Sequence, residues 1–221
     1  AALDAIAAQT EADAERLRAV GARQTVVCGN LKFDVTPPPE KLCLGAHWRQ
    51  ALGHRQVWLA ASTREGEEAL LLDAFARLPQ RHLLLLVPRH PQRFAEVAEL
   101  IASRQLASCR RSSGSLPDEE TRVWLGDSMG EMPAYYALAE IALIGGTLLP
   151  FGGQNLIEAA ACGCPVLLGP HTFNFAQASV DAIACGAARR VANADEAVAT
   201  AAELLQQPQQ LARMRAAARG F

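Results

Sequence analysis

The chain has 221 residues, half of them hydrophobic and a fifth charged, with 21 Lys and Arg against 23 Asp and Glu and a formal net charge of −2. That balance suits a sizeable α/β core and sets aside intrinsic disorder. The arginines are scattered rather than banked, so there is no footprint of a nucleic-acid binder, and no apolar run approaches the roughly 20 residues that cross a bilayer. Arg110-Arg111 and Arg189-Arg190 read as solvated loop charges. Six cysteines and five histidines show no CxxC, HxxxH or HExxH spacing, so neither a metal nor another cofactor is expected. Cys28 and Cys162 read as buried free thiols of a protein in a reducing compartment.

In chain order, Ile6 to Val20 is predicted helical and closed by Gly21, and Thr25 to Cys28 is a short apolar run. Gly29-Asn30-Leu31-Lys32-Phe33-Asp34 then leads to Pro37-Pro38-Pro39, a stiff stop that marks a domain entrance. Residues 1–36 are read as a linking helix, strand and entry loop, and residues 37–221 as the main domain. The chain opens at Ala1 inside the first helix without an initiator Met, which suggests a piece of a longer protein with a domain upstream.

After a helix over Glu40 to Leu52, strands and helices alternate. The strands are Val57 to Ala61, Leu83 to Val87, Val123 to Leu125, Ile141 to Ile144 and Val166 to Leu168. The helices are Arg64 to Leu78, Gln92 to Ser103, Glu131 to Ala139 and Asn155 to Cys162, with further ones from Asn174 and Asp195. Arg110 to Glu120, with Ser-Ser-Gly-Ser and a Pro, is expected to be a mobile connection. Asp195 to Gln206 and Leu211 to Ala218 are alanine-rich helices that either cover the sheet or cross back to an upstream domain.

Short apolar strands alternating with helices predict a Rossmann-like parallel sheet with helices on both faces, of α/β class. Ligands bind such sheets at the carboxyl ends of the strands. At the first of these, Ser62 with Glu65 matches a capping box, while the Ser62 hydroxyl also suits a phosphate or a sugar carboxylate. In Pro88-Arg89-His90-Pro91 the prolines hold Arg89, a permanently charged phosphate donor, beside His90, which either bonds a ligand or packs on Pro91. In Gly126-Asp127-Ser128-Met129-Gly130-Glu131, Asp127 reads as a turn residue and the backbone of Met129, Gly130 and Glu131 as a reader of a base edge.

Gly145 and Gly146 leave space for a nucleotide. Gly152-Gly153-Gln154-Asn155-Leu156-Ile157-Glu158 adds a second glycine loop entering a helix, in whose first turn Glu158 either reaches ribose hydroxyls or simply complements the helix dipole. Gly163 serves as its C-cap before Pro165. There is no GxGxxG after a first strand and no GxxxxGK[ST], so the phosphate cradles of dinucleotide oxidoreductases and P-loop enzymes are missing. Arg89 and a helix N-terminus stabilising a departing nucleotide without a metal suit glycosyl transfer.

These blocks, in the same order along most of the chain, closely resemble 3-deoxy-D-manno-octulosonic acid (Kdo) transferases of Gram-negative bacteria. The resemblance implies a GT-B enzyme of two Rossmann-like domains, the C-terminal one holding the donor CMP-Kdo and the N-terminal one the lipid A precursor, in lipopolysaccharide inner-core synthesis. It implies that Ser62, Arg89, His90, Met129, Gly130, Glu131, Asn155 and Glu158 surround CMP, with Gly145 and Gly146 beside them and Lys32 near the interdomain cleft. The family's general base, a carboxylate, and its membrane-associating segment belong to the N-terminal domain. This chain is therefore expected to carry no catalytic residue, and to be a soluble donor-binding half of an inverting, metal-independent enzyme at the cytoplasmic face of the inner membrane. Cys28 and Ser128 stand where threonine is common in the family. A nucleotide-sugar 2-epimerase and a non-catalytic nucleotide-binding module of the same fold are the alternatives, separated by nucleotide preference and by activity.

Overall fold

The computed structural model describes residues 3–29, 35–79 and 81–221. It divides into two compact units, Ala1–Thr36 and Pro37–Phe221. In the first, strand β1 (Ile6–Ala8) runs parallel to β2 (Thr25–Val27), with helix α1 (Glu11–Ala19) between them. The expected helix from Ile6 is thus a strand for its first three residues. Thr10 is the reason: its backbone is extended, and its hydroxyl caps α1 by accepting from the Asp13 N–H at 3.1 Å, so the helix cannot start earlier. Cys28 is exposed here, against the expectation of a buried thiol.

The second unit contains α2 (Pro39–Ala51), β3 (Gln56–Thr63), α3 (Glu67–Phe75), β4 (His82–Pro88), α4 (Phe94–Ser103), β5 (Ser108–Arg110), β6 (Val123–Leu125) and α5 (Met132–Leu138). It continues with β7 (Ile141–Ile144), α6 (Ile157–Ala161), β8 (Val166–Leu168), α7 (Ala176–Ala184), β9 (Ala188–Arg190), α8 (Ala194–Leu205) and α9 (Pro208–Gly220). Its seven strands are all parallel, in the order β5-β6-β4-β3-β7-β8-β9. This is the Rossmann-like α/β sheet that the alternation predicts. Side chains alternate across it: Val57, Leu59 and Ala61 of β3 pack with α2, α5, α6 and α7, while Trp58 and Ala60 pack with α3, α4 and α8. Burial on both faces explains why β4 reads as an unbroken apolar run.

Two strands escape the sequence pattern. Ser108–Arg110 and Ala188–Arg190 are the sheet's edges, so they carry exposed polar residues where a pattern search looks for apolar ones. Arg110, Arg189 and Arg190 accordingly sit on strands rather than in loops. Helices α8 and α9 cover this sheet: Leu204, Leu211 and Met214 are buried in one core layer, and Arg215 donates to the Ala139 carbonyl at 3.0 Å. Cys164 is buried and its thiol is pushed up to about 12 by desolvation, whereas Cys162 is only half-buried. Among the described residues no helix is long and apolar enough to cross a membrane.

Helix α2 lies so close to α5 that a Cβ at Gly45 would stand 2.4 Å from the Ala134 carbonyl oxygen and 2.8 Å from the Ala137 Cβ. Alanine at an ordinary helix position is worth about 1 kcal/mol over glycine. Here Gly45→Ala is expected to destabilise by about 1–3 kcal/mol instead, read as a lower urea midpoint at unchanged slope.

His82, at the start of β4, is buried beside two arginines. Its Nε2 accepts from Arg81 Nε at 3.3 Å, a bond that only the neutral ring can accept. Burial first, then the charges of Arg81 and Arg122, lower its pKa below the ordinary 6.5. The unfolded chain therefore takes up this proton before the folded one, so stability falls as pH drops through 6.5 and below. Thermal melts from pH 7.5 to 5.5 should show that slope, and His82→Leu should reduce it.

Candidate functional site

The strand order turns at β3: the chain first builds outward to β4 and β6, then returns to lay β7 against the other side of β3. In open α/β sheets that turning point leaves a crevice outside the carboxyl ends, where ligands bind. Ser62 lies at the end of β3, and Arg89, Met129 to Glu131 and Gly145 with Gly146 follow β4, β6 and β7; these four strands are neighbours in the sheet. These sequence-predicted residues share one sheet edge.

At the end of β3 the pairing with β4 slips between Ala61 and Thr63, and Ser62 bulges out with φ 55°, left-handed for a residue with a side chain. Its Oγ lies 4.0 Å from Met132 Sδ on α5. Gly145 packs directly on this bulge, where a Cβ would stand 2.2 Å from the Ser62 carbonyl oxygen. Only glycine permits this approach.

The expected capping box of Ser62 and Glu65 does not form. Helix α3 begins at Glu67, after Gly66 with φ 88°, and Glu65 is exposed. The reaching-back carboxylate is Glu67, whose Oε2 accepts from Arg64 N at 2.8 Å and from Gly146 N at 2.6 Å. Its Oε1 accepts from Leu148 N at 2.9 Å, and the side chain is 1 % exposed. Burial raises the Glu67 pKa, and the N–H groups of Gly146, Arg64 and Leu148 oppose that rise.

The two glycine loops then bond to each other. Gly153 N donates to the Gly146 carbonyl at 2.8 Å, and Gln154 N to the Gly145 carbonyl at 3.0 Å. The Gln154 side chain accepts from Arg89 Nε at 3.2 Å, and Arg89 N donates to the Thr63 carbonyl at 3.0 Å. Arg89 is exposed, His90 is half-buried, and Pro91–Arg93 is a single helical turn. The Asn155 side chain accepts from Ile157 N at 3.1 Å and donates to the half-buried Glu158 carboxylate at 3.0 Å. Helix α6 has five residues, shorter at both ends than the predicted Asn155 to Cys162. So short a helix supplies a small dipole. Arg89 is one of the cations at this edge.

At the end of β6 the acids serve the fold. Asp127 is not a simple turn residue: it is buried and accepts from Arg110 Nε at 2.7 Å, Ser112 N at 2.8 Å and Ser112 Oγ at 2.6 Å. Burial alone would raise its pKa, but the Ser112 hydroxyl and N–H and the Arg110 charge hold it below the usual carboxylate range. The segment expected to be mobile is therefore pinned at Arg110 to Ser113 by a strand and an ion pair. Glu131 pairs with Arg111 at 3.0 Å and accepts from the Ser128 hydroxyl, while Arg111 lies 5.0 Å over the Trp48 ring. Met129 and Gly130 are exposed, with Gly130 at φ 73°. Lys32 lies outside the described residues.

Sequence reasoning missed three contributors: Glu67, Gln154 and Asn174. The Asn174 side-chain amide donates to the Phe151 carbonyl at 2.9 Å and the Gly153 carbonyl at 3.3 Å, and its N–H donates to the Gly152 carbonyl at 2.9 Å. It lies in the segment after β8.

Comparison with known proteins places this geometry among glycosyltransferases. A family profile described as 3-deoxy-D-manno-octulosonic-acid transferase (kdotransferase) matches residues 1–35. The 3-deoxy-D-manno-octulosonic acid transferase of Bordetella pertussis is 48% identical over 228 residues, covering 100% of this chain and 53% of that protein. The transferase of Haemophilus influenzae is 41% identical over 179 residues, covering 77% and 41%. The chain spans about half the length of the relatives it matches. Among solved structures, the C-terminal CMP-Kdo binding domain of WaaA from Acinetobacter baumannii aligns with a TM-score of 0.79 at 33% identity, covering 83% of this chain and 98% of that one. Anabaena HepE in complex with UDP and glucose shares the fold, with a TM-score of 0.61 at 18% identity over 98% of this chain and 57% of that one.

Asp127→Ala removes three hydrogen bonds around a buried position and releases the turn after β5. A loss of about 2 kcal/mol is expected, measured by urea unfolding, with proteolysis newly appearing between residues 110 and 120.

Proposed function

The chain belongs to the Kdo transferase family, and from that premise we propose that it is the donor-binding half of the enzyme, holding CMP-Kdo while Kdo passes to a lipid A precursor. The observation that carries this reading is the 33% identical Acinetobacter baumannii domain, described as binding CMP-Kdo, of which this chain covers 98%. The strand-order crevice supports it, because the residues at its edge divide by chemistry as a nucleotide sugar requires. The family profile over residues 1–35 supports reading residues 1–36 as the join to an N-terminal acceptor domain.

In this reading the backbone of Met129, Gly130 and Glu131 takes the edge of the base. The Glu131 side chain is already committed to Arg111 and Ser128, so the main chain is what it offers. Glu158, steadied by Asn155, accepts from the ribose hydroxyls. Gly145 and Gly146 leave room at the turning point, Ser62 and His90 bond the phosphate or the ulosonate carboxylate, and Arg89 places a permanent positive charge beside the phosphate.

The acceptor hydroxyl, deprotonated by a carboxylate of the N-terminal domain, attacks the anomeric carbon as CMP departs, which inverts the centre. Arg89 offsets the charge that develops on the leaving phosphate, a task that needs no metal ion or other cofactor. The acceptor and the contact with the cytoplasmic face of the inner membrane belong to the other domain. This chain alone is expected to bind CMP and transfer no sugar.

Calorimetric titration with CMP, UDP and ADP, each with and without EDTA, tests the reading. CMP should bind selectively and EDTA should change nothing. Arg89→Ala and Glu158→Ala should each weaken CMP binding about tenfold or more with an unchanged circular dichroism spectrum. UDP preference would move the assignment to the 2-epimerase-like alternative, and unaltered affinity in both variants would remove the site assignment.

A further inference from the structure

The glycine loops that frame the crevice have no stiffness of their own. Gly146, Gly152 and Gly153 have φ of 69°, 87° and 85°, conformations that glycine reaches freely and leaves as freely. Their single arrangement must be imposed from outside, and two side chains reach them. Asn174 holds the carbonyls of Phe151, Gly152 and Gly153 from behind. From the front, the carboxylate of Glu67 takes the N–H groups of Gly146 and Leu148 with one oxygen each, and that of Arg64 with the first.

We propose that Glu67 is a positioning residue of the nucleotide site, setting the backbone after β7 from which the second glycine loop, Gln154 and Arg89 take their places. This rests on the nucleotide-sugar reading of the crevice. The connection is continuous in hydrogen bonds. Glu67 holds Gly146 N, the Gly146 and Gly145 carbonyls hold Gly153 N and Gln154 N, and the Gln154 side chain holds Arg89 Nε. Glu67 itself is sealed from solvent and takes no part in ligand contact.

A carboxylate is the group this position requires. Three N–H donors converge from two separate segments, and an ionised carboxylate meets them all because both of its oxygens only accept. An apolar residue would fill the volume and leave three buried N–H groups unpaired. A glutamine has one accepting oxygen, so its NH2 group must face at least one of the three donors. Glu67→Gln is thus nearly isosteric, keeps the core filled and releases one tether of the loop. A loop that must be ordered at the moment of binding lowers affinity without abolishing the pocket.

The test is calorimetric titration of CMP into the intact protein, unsubstituted and Glu67→Gln, with hydrogen exchange at the Gly146 and Leu148 amides followed in parallel. The expected result is a Kd raised about tenfold at unchanged stoichiometry, together with faster exchange at one or both amides. A role in stability alone would lower the fraction of competent protein, and so the stoichiometry, while leaving Kd as it was. Equal Kd in two proteins that both bind CMP would overturn the positioning role while leaving the nucleotide reading in place. Failure of the unsubstituted protein to bind CMP would remove the nucleotide reading and this role with it. Should Glu67→Gln not fold, Glu67→Asp, which keeps the charge but withdraws it by one methylene, replaces it in the same comparison with the same expected result.

Discussion

Two consecutive carboxylates on the first turn of α3 receive hydrogen bonds from three strand ends. Glu67 takes N–H groups from the loop after β7, and Glu68 takes the Thr63 hydroxyl at 2.7 Å from β3 and the Arg93 guanidinium at 2.8 Å from the turn after β4. Both are buried, and a carboxyl group taken out of water is costly unless its oxygens are hydrogen-bonded; both oxygens of Glu67 and Oε1 of Glu68 have such partners. That cost ties the strand ends together. If β7 or the turn after β4 moves away, a buried charge loses its partners, so the carboxyl edge of the sheet holds one shape. The bulge at Ser62, the close approach of Gly145 and the pairing of the two glycine loops all lie within this frame.

The far side of the crevice is built on a different principle. There α2 and α5 place Trp48 5.3 Å from Trp124 and 5.5 Å from Tyr135, ring centroid to centroid, with Arg111 lying over Trp48. This aromatic cluster carries the charges that steady the turn after β6. Arg111 meets Glu131, and the Tyr135 hydroxyl shares Ser128 with it. The exposed backbone at Met129 and Gly130 is therefore presented by a packed base, although the turn itself is rich in small residues. Rigid mounting of exposed groups reduces the ordering cost of binding.

Arg89 and the pair Gly145 and Gly146 could be singled out because each follows an apolar run, and in a parallel sheet all such positions share one edge. Arg89, Gly145, Gly146 and Glu158 could be named without knowing which strands are neighbours. Glu67 could not, since a glutamate at the start of a helix has an ordinary explanation in the dipole, and its bonds to Gly146 and Leu148 cross roughly 80 residues of chain. The role of Asp127 is hidden for the same reason, its partners Arg110 and Ser112 standing at the end of an edge strand that shows no apolar pattern and in the turn after it. Ser62 stands at the carboxyl end of β3, but its capping box with Glu65 does not form, because Gly66 sets the start of α3 at Glu67.

The sequence by itself determined the α/β class, the parallel sheet and the edge at which Arg89, Gly145 and Gly146 stand. Those properties follow from hydrophobic period and strand length, which are local and add up along the chain. The tertiary structure alone decided the strand order, the two polar edge strands, the left-handed turn at Ser62 and the partners of the buried acids. These depend on which segments meet, and the energy that selects the meeting, pairing a desolvated carboxylate with distant N–H groups, leaves no periodic mark in the sequence.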